Sequence, residues 1–94
     1  MTIDIVKKYI FEILDENGVY IAPSDIDMDL DLREYIVDSL QYVYFIVELE
    51  NRLGLELPDQ ILLYENLASI NGFANMVIQC FHNHEYNSND SGNK

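Results

Sequence analysis

Ser39 is the residue of this 94-residue sequence whose type and position best suit it to chemistry. It stands in Asp38-Ser39-Leu40, after a long acidic stretch and at the opening of the most apolar helical segment in the chain. The start of a helix offers unpaired amide groups and the positive end of the macrodipole, so a serine there can bear an anionic group that a helix interior would not tolerate. The same residues also have a purely structural reading. With Asp38 as N-cap and Gln41 three residues on, they form a capping-box pattern worth about 1 kcal/mol, in which Ser39 is only the first helical residue.

The other reactive residue types do not assemble into a catalytic set. Hydrolysis by a serine nucleophile needs a base and an oxyanion hole, and the histidines are His82 and His84, in or near a polar terminal segment. Neither a nucleophile-elbow motif nor a glycine-rich phosphate loop is present, so no residue is assigned a catalytic role. His82, His84 and Cys80 lack a fourth metal ligand at suitable spacing. The series Asp25, Asp27, Asp29, Asp31 suggests a calcium loop starting at Asp27, but Leu32 stands where such a loop needs glycine, and Asp38 stands where it needs glutamate. No metal site is expected beyond weak cation binding to an acidic loop. Cys80 follows Val77 by three residues and Phe73 by seven, the place of a small, partly buried apolar side chain.

Composition narrows the class. Seventeen acids against five bases give a net charge of -12, which repels nucleic acid and anionic lipid and steers the chain toward basic partners. With 49% hydrophobic residues the sequence is too apolar for a disordered chain. No apolar run approaches the roughly 20 residues needed to cross a bilayer, so membrane insertion is not expected. A single cysteine cannot close an intramolecular disulfide, and the residues after Met1 lack the pattern of a secretory leader; the expected location is the reducing cytoplasm.

The elements that must position Ser39 follow from periodicity. Ile3, Val6, Ile10, Ile13 and Leu14 share one helical face from Thr2 to Asn17, with Thr2 as cap and Gly18 as terminator. A second helix runs from about Ser39 to Leu53 and stops at Gly54, with Phe45, Leu49 and Leu53 on one side. A third starts at Ser69 and continues through Phe73, Val77 and Phe81, with Gly72 weakening its first turn. Between the second and third, Leu57 to Tyr64 predicts a short helix after Pro58. Residues 19–37 alternate Ile26, Met28, Leu30 and Leu32 with acids, yet no second strand is available to pair with them, so a long structured loop is expected. One domain over residues 1–82 and a disordered tail over 83–94 complete the reading.

Order and spacing over nearly the whole chain resemble the acyl carrier protein family. The resemblance rests on Asp38-Ser39-Leu40, Val43, Phe45, Leu49-Glu50, Leu53-Gly54, Leu57-Pro58-Asp59 and, further on, Leu67-Ala68-Ser69-Ile70. It implies an all-α four-helix bundle of three long helices and one short one, with a long loop between the first two. Ser39 would be the attachment residue for 4'-phosphopantetheine, flanked by Asp38 and Leu40. A phosphopantetheinyl transferase would transfer the arm from coenzyme A and supply the base and Mg2+ itself. The arm would then carry acyl or aminoacyl groups as thioesters from a loading ligase to downstream transferase or synthase enzymes, on a monomeric and non-catalytic carrier.

By the same resemblance Leu40, Val43, Tyr44, Val47 and Glu48 would form the partner-binding face; for Val43 and Val47 the alternative is core packing. The helix opens with Gln41-Tyr42-Val43-Tyr44 where fatty-acid carriers are strongly acidic, and Arg52 interrupts the acids near its end. Tyr42 and Tyr44 either meet a dedicated partner or lie on the surface or against the loop. Arg33-Glu34-Tyr35-Ile36-Val37 with Glu50-Asn51-Arg52 resembles the D-alanyl carrier branch as much as the fatty-acid branch, which favours a specialised natural-product or aminoacyl pathway. The competing class is an unmodified acidic helical adaptor using the same apolar face. Because a charge of -12 repels itself in the folded state, added salt or divalent cations are expected to raise the melting temperature; a melting curve that does not move with ionic strength would contradict this.

Overall fold

The computed structural model describes the backbone of residues 1–92 and the side chains through His82. Three α-helices carry the fold: α1 at Ile3–Glu16, α2 at Ser39–Leu53 and α3 at Ile70–Gly92. Short 3-10 helices lie between them at Pro23–Asp25, Leu32–Glu34 and Tyr64–Ala68, and the described residues contain no strand. None of the described helices is long and apolar enough to cross a membrane.

The helix ends follow the sequence signals. Thr2 Oγ1 accepts the Ile5 amide at 3.3 Å, and Ser69 Oγ accepts the Gly72 amide at 2.9 Å, so a hydroxyl caps α1 and α3. Gly54 closes α2 at φ +72°, with its amide donating to the Glu50 carbonyl at 2.8 Å. A left-handed C-terminal position of this kind disfavours any side chain, which is why glycine ends the helix there.

α1 packs on both α2 and α3. Val6, Ile10, Ile13 and Leu14 meet Phe45, Ile46, Leu49 and Leu53 from α2 and Ile70, Phe73, Ala74 and Val77 from α3 in one buried cluster. The rings of Phe45 and Phe73 lie 6.2 Å apart at its centre. Full burial of side chains of this size contributes roughly 1.5–3 kcal/mol each, so this cluster supplies most of what holds so short a chain together. Lys7 on α1 is buried as well, as the long stem of an amphipathic side chain allows.

The connections depart from expectation in two places. The short helix expected over Leu57 to Tyr64 does not form: a turn closes there with the Ile61 amide on the Pro58 carbonyl at 2.9 Å, and the helical segment lies later, as a 3-10 turn at Tyr64–Ala68. Leu57 and Ile61 are buried in the common core, so they act as anchors of a bend, not as one face of a helix. The long loop is indeed without strand, yet it holds two 3-10 turns, the second burying Leu32 while Ile36 just beyond it is buried as well. At the other end, the backbone of α3 continues helically to Gly92, past the end of the apolar periodicity at Phe81. The expected tail over residues 83–94 falls outside the residues whose side chains are described.

Two polar devices tie these pieces together, and local sequence signals neither. Arg52, near the end of α2, reaches Glu12 at 2.9 Å and both carboxylate oxygens of Glu16 at 2.7 Å, clamping α2 to α1. Asp29 in the long loop accepts the Ser69 hydroxyl at 2.8 Å and the Asn71 amide at 3.0 Å, while the Ile70 amide donates to the Leu30 carbonyl at 2.8 Å. The loop is thereby strapped to the start of α3, and its carboxylate sits at the positive end of that helix.

The Asn71 amide, followed by the Ser69 hydroxyl, holds the Asp29 carboxyl below its ordinary value of 3.8. A pKa lower in the folded than in the unfolded chain stabilises fully above the ordinary value, and that contribution vanishes as pH falls through the lowered one. Asp29→Asn is therefore expected to melt below the wild type at pH 7, with the gap closing as the pH drops under 3.8; thermal melts of the pair across pH measure it, and a constant gap would contradict the strap.

Candidate functional site

The α2 start is built by side chains that leave Ser39 uncommitted. Asp38 is the N-cap, with an extended backbone and Oδ1 accepting the Gln41 amide at 2.8 Å. Gln41 does reach back, though not to the cap amide that a capping box would use: its Oε1 accepts the Val37 amide at 2.9 Å, and its Nε2 donates to the Tyr35 carbonyl at 3.1 Å. The segment entering the helix is thus fixed from both sides. Ser39, exposed at the first helical position, takes no part in this network, and among the described residues its hydroxyl forms no hydrogen bond. The amides of Ser39 and Leu40 belong to the first turn and have no acceptor within the helix, so they are open to an anionic group on the Ser39 oxygen.

Two open grooves flank Ser39. One is lined by Leu40, Val43, Tyr44 and Val47, with Asn17 from the end of α1. The other is lined by Val37, Tyr42, Val43 and Tyr64. Leu40 is 84% exposed, Val43 55% and Val47 48%, which excludes core packing for the two valines. Phe45, Leu49 and Leu53 are buried as expected, and Ile46 joins them. Tyr44 is also exposed, and the neighbouring carboxylate of half-buried Glu48 pushes its phenol's pKa up. The structure therefore brings Leu40, Val43, Tyr44, Val47 and Glu48 onto one face beside Ser39.

Tyr42 belongs to the scaffold. Its hydroxyl donates to the Leu62 carbonyl, burial pushes its phenol up, and its ring meets Tyr64 edge to face at 6.0 Å. Tyr64 in turn donates to the Ile36 carbonyl at 2.8 Å. Of the choices open for Tyr42, packing on the loop is the one adopted, and the pair walls the second groove. Glu50 is likewise structural: its carboxylate accepts the Leu57 amide at 2.8 Å and fixes the exit from α2. The importance of Tyr64 was not visible in the sequence, since its acceptor lies 28 residues away.

A helical domain with an uncommitted serine at the head of an apolar-faced helix fits a prosthetic-group carrier. The family model described as "phosphopantetheine attachment site" matches residues 12–77, from the middle of α1 into α3, and the chain belongs to that family. Comparison with curated proteins and with solved structures gives no significant match. The chain is thus a phosphopantetheine-carrying protein of the acyl carrier type, and carrier domains of this kind are non-catalytic and are modified by a transferase.

The cap makes a measurable contribution of its own. Asp38→Ala is expected to cost about 1 kcal/mol in urea unfolding, whereas Asp38→Ser, which can still cap, stays close to the wild type. Equal loss in both variants would mean that the carboxylate, not the capping bond, matters at this position.

Proposed function

We propose that Ser39 is the residue that bears the 4'-phosphopantetheine arm, and that the chain serves as an acyl or aminoacyl carrier in a specialised biosynthetic pathway. The observation that carries this reading is the position of Ser39: exposed at the head of α2, with capping delegated to Asp38 and the entering segment held by Gln41. In the transfer, Ser39 Oγ forms a phosphodiester with the pantetheinyl phosphate of coenzyme A, the phosphoanhydride bond breaks and the adenosine bisphosphate leaves. The transferase supplies the base that takes the serine proton, and the Mg2+. When bound, the arm supplies a thiol that carries the cargo as a thioester.

The chain's own residues contribute placement. Asp38 and Gln41 fix the α2 start, the first-turn amides of Ser39 and Leu40 would be available to donate to a phosphodiester on Ser39, and Leu40, Val43, Tyr44, Val47 and Glu48 would give loading and receiving enzymes a surface to meet. The specialised pathway is supported by the α2 start, where Gln41-Tyr42-Val43-Tyr44 replaces the acidic stretch expected of a fatty-acid carrier. A monomer in the cytoplasm, working with a transferase, a loading ligase and a downstream synthase or transferase, completes the reading.

Intact mass after incubation with coenzyme A, Mg2+ and a broad-specificity phosphopantetheinyl transferase tests it. The wild type is expected to gain one phosphopantetheinyl unit and Ser39→Ala none. A gain by Ser39→Ala would move the attachment site, and no gain by the wild type with several transferases would favour an unmodified adaptor.

A further inference from the structure

A third groove lies between α1 and the long loop and shares no lining residue with the two beside Ser39. It encloses about 440 Å³, within the range of small-molecule sites. Phe11 and Ile26 give it apolar walls, Lys7 and Lys8 its cations, and Asp4, Glu12 and Asp27 its acids. Lys7 is the unusual member. It is only 9% exposed, yet among the described residues it forms neither an ion pair nor a hydrogen bond. The Asp29 carboxyl is held down first by the Asn71 amide, then by the Ser69 hydroxyl and last by the charge of Lys7, so the two charges sense one another without pairing. Of the other basic side chains, Arg33 is paired with Asp31 and Arg52 with Glu12 and Glu16, and Lys94 lies outside the described residues. Lys8 has no ion pair among the described residues either: Glu12, one turn on, is taken by Arg52, and Asp4, one turn back, pairs with nothing. The two described lysines, neither with a counter-ion, therefore line the same groove.

We infer that this groove binds a small monocarboxylate with an apolar body, its carboxylate accepting from Lys7 and Lys8 and its hydrocarbon part lying against Phe11 and Ile26. A cation nine-tenths buried has lost most of its water without gaining a partner, and a carboxylate restores the missing interaction as a charge-assisted hydrogen bond. Ile26, 41% exposed, and half-buried Phe11 offer apolar area that the ligand can cover. The acids limit the charge that is accepted. Glu12 is engaged by Arg52, but Asp4, Asp27 and the field of a chain at -12 repel a dianion such as phosphate more strongly than a monoanion. The site is independent of what Ser39 carries, and a ligand in it leaves both grooves beside Ser39 open.

Backbone-amide NMR of the full chain, titrated with sodium hexanoate at constant ionic strength, tests this; holding the ionic strength removes the general effect of salt on so acidic a chain. The amides of Lys7, Lys8, Phe11 and Ile26 are expected to shift saturably, with a dissociation constant on the order of 1 mM, within reach of a ligand of so few atoms. Hexanamide, which keeps the body and lacks the charge, and inorganic phosphate, which has charge without the body, should each bind about tenfold more weakly. Lys7→Met, which keeps the stem, should weaken hexanoate about tenfold and Ile26→Ser about threefold, the second variant serving if the first fails to fold by circular dichroism. Hexanamide or phosphate binding as tightly as hexanoate, shifts centred elsewhere, or variants that bind as the wild type does would overturn the inference. A blocked tripeptide with a central glutamate should bind more weakly than hexanoate; tighter binding would overturn the small acid in favour of a partner's side chain. Loading at Ser39 is read separately by intact mass, so none of these outcomes touches the carrier reading.

Discussion

The rotation of α2 about its own axis is the constraint on which the rest of the structure depends. At 3.6 residues per turn, placing Phe45, Leu49 and Leu53 against α1 and α3 leaves no freedom for the other positions of the helix. Leu40, Val43, Tyr44 and Val47 must then point away from the core, and Ser39 must stand at the head of the exposed side. A rotation of one residue would bury the valines, expose the phenylalanine and turn the serine toward the loop. The energy that resists it is the burial of Phe45, Ile46, Leu49 and Leu53, each worth roughly 1.5–3 kcal/mol. The candidate attachment residue Ser39 is thus held by the core beneath it, although it is itself exposed.

Polar groups then divide between two tasks. Some fix the connections: Glu50 on the Leu57 amide, Tyr64 on the Ile36 carbonyl, Asn66 on the Gln60 and Ile61 carbonyls, and Asp29 on Ser69 and Asn71. Each satisfies a backbone or hydroxyl group in an irregular segment that has no helix or sheet ladder to do so. Others neutralise charge where helices approach, as Arg52 does between Glu12 and Glu16. Surface ion pairs of this kind are individually worth little, but a bidentate contact shared with a second carboxylate fixes the α1–α2 approach and spends two acids that would otherwise face outward.

These two tasks explain how a chain of net charge -12 can present an apolar face beside Ser39. The acids are not spread evenly. Asp25, Asp27, Asp29 and Asp31 lie in the long loop, where Asp29 is strapped to α3 and Asp31 is paired with Arg33 at 2.7 Å. On α2, Glu50 serves the fold by accepting the Leu57 amide. Such a division lets like charges elsewhere repel other copies of the chain while the apolar face beside Ser39 stays exposed.

The α1 and α2 helices, the start of α3 and the candidate attachment residue were legible in the sequence because their signals are local. Thr2, Ser69 and Asp38 cap the turn that follows them, Gly18 and Gly54 end the helix that precedes them, and the apolar spacing marks which face is buried. Only the tertiary structure decided what depends on partners distant along the chain. It showed that Val43 and Val47 are outside, that Tyr42 belongs to the scaffold, that Arg52 is consumed by α1, and that the helical turn after Pro58 forms late, at Tyr64–Ala68. The physical reason is the same in each case. A cap or a helical face is set by residues three or four apart, whereas the fate of an amphipathic or charged side chain is set by which surface arrives opposite it, and that surface exists only once the chain has folded.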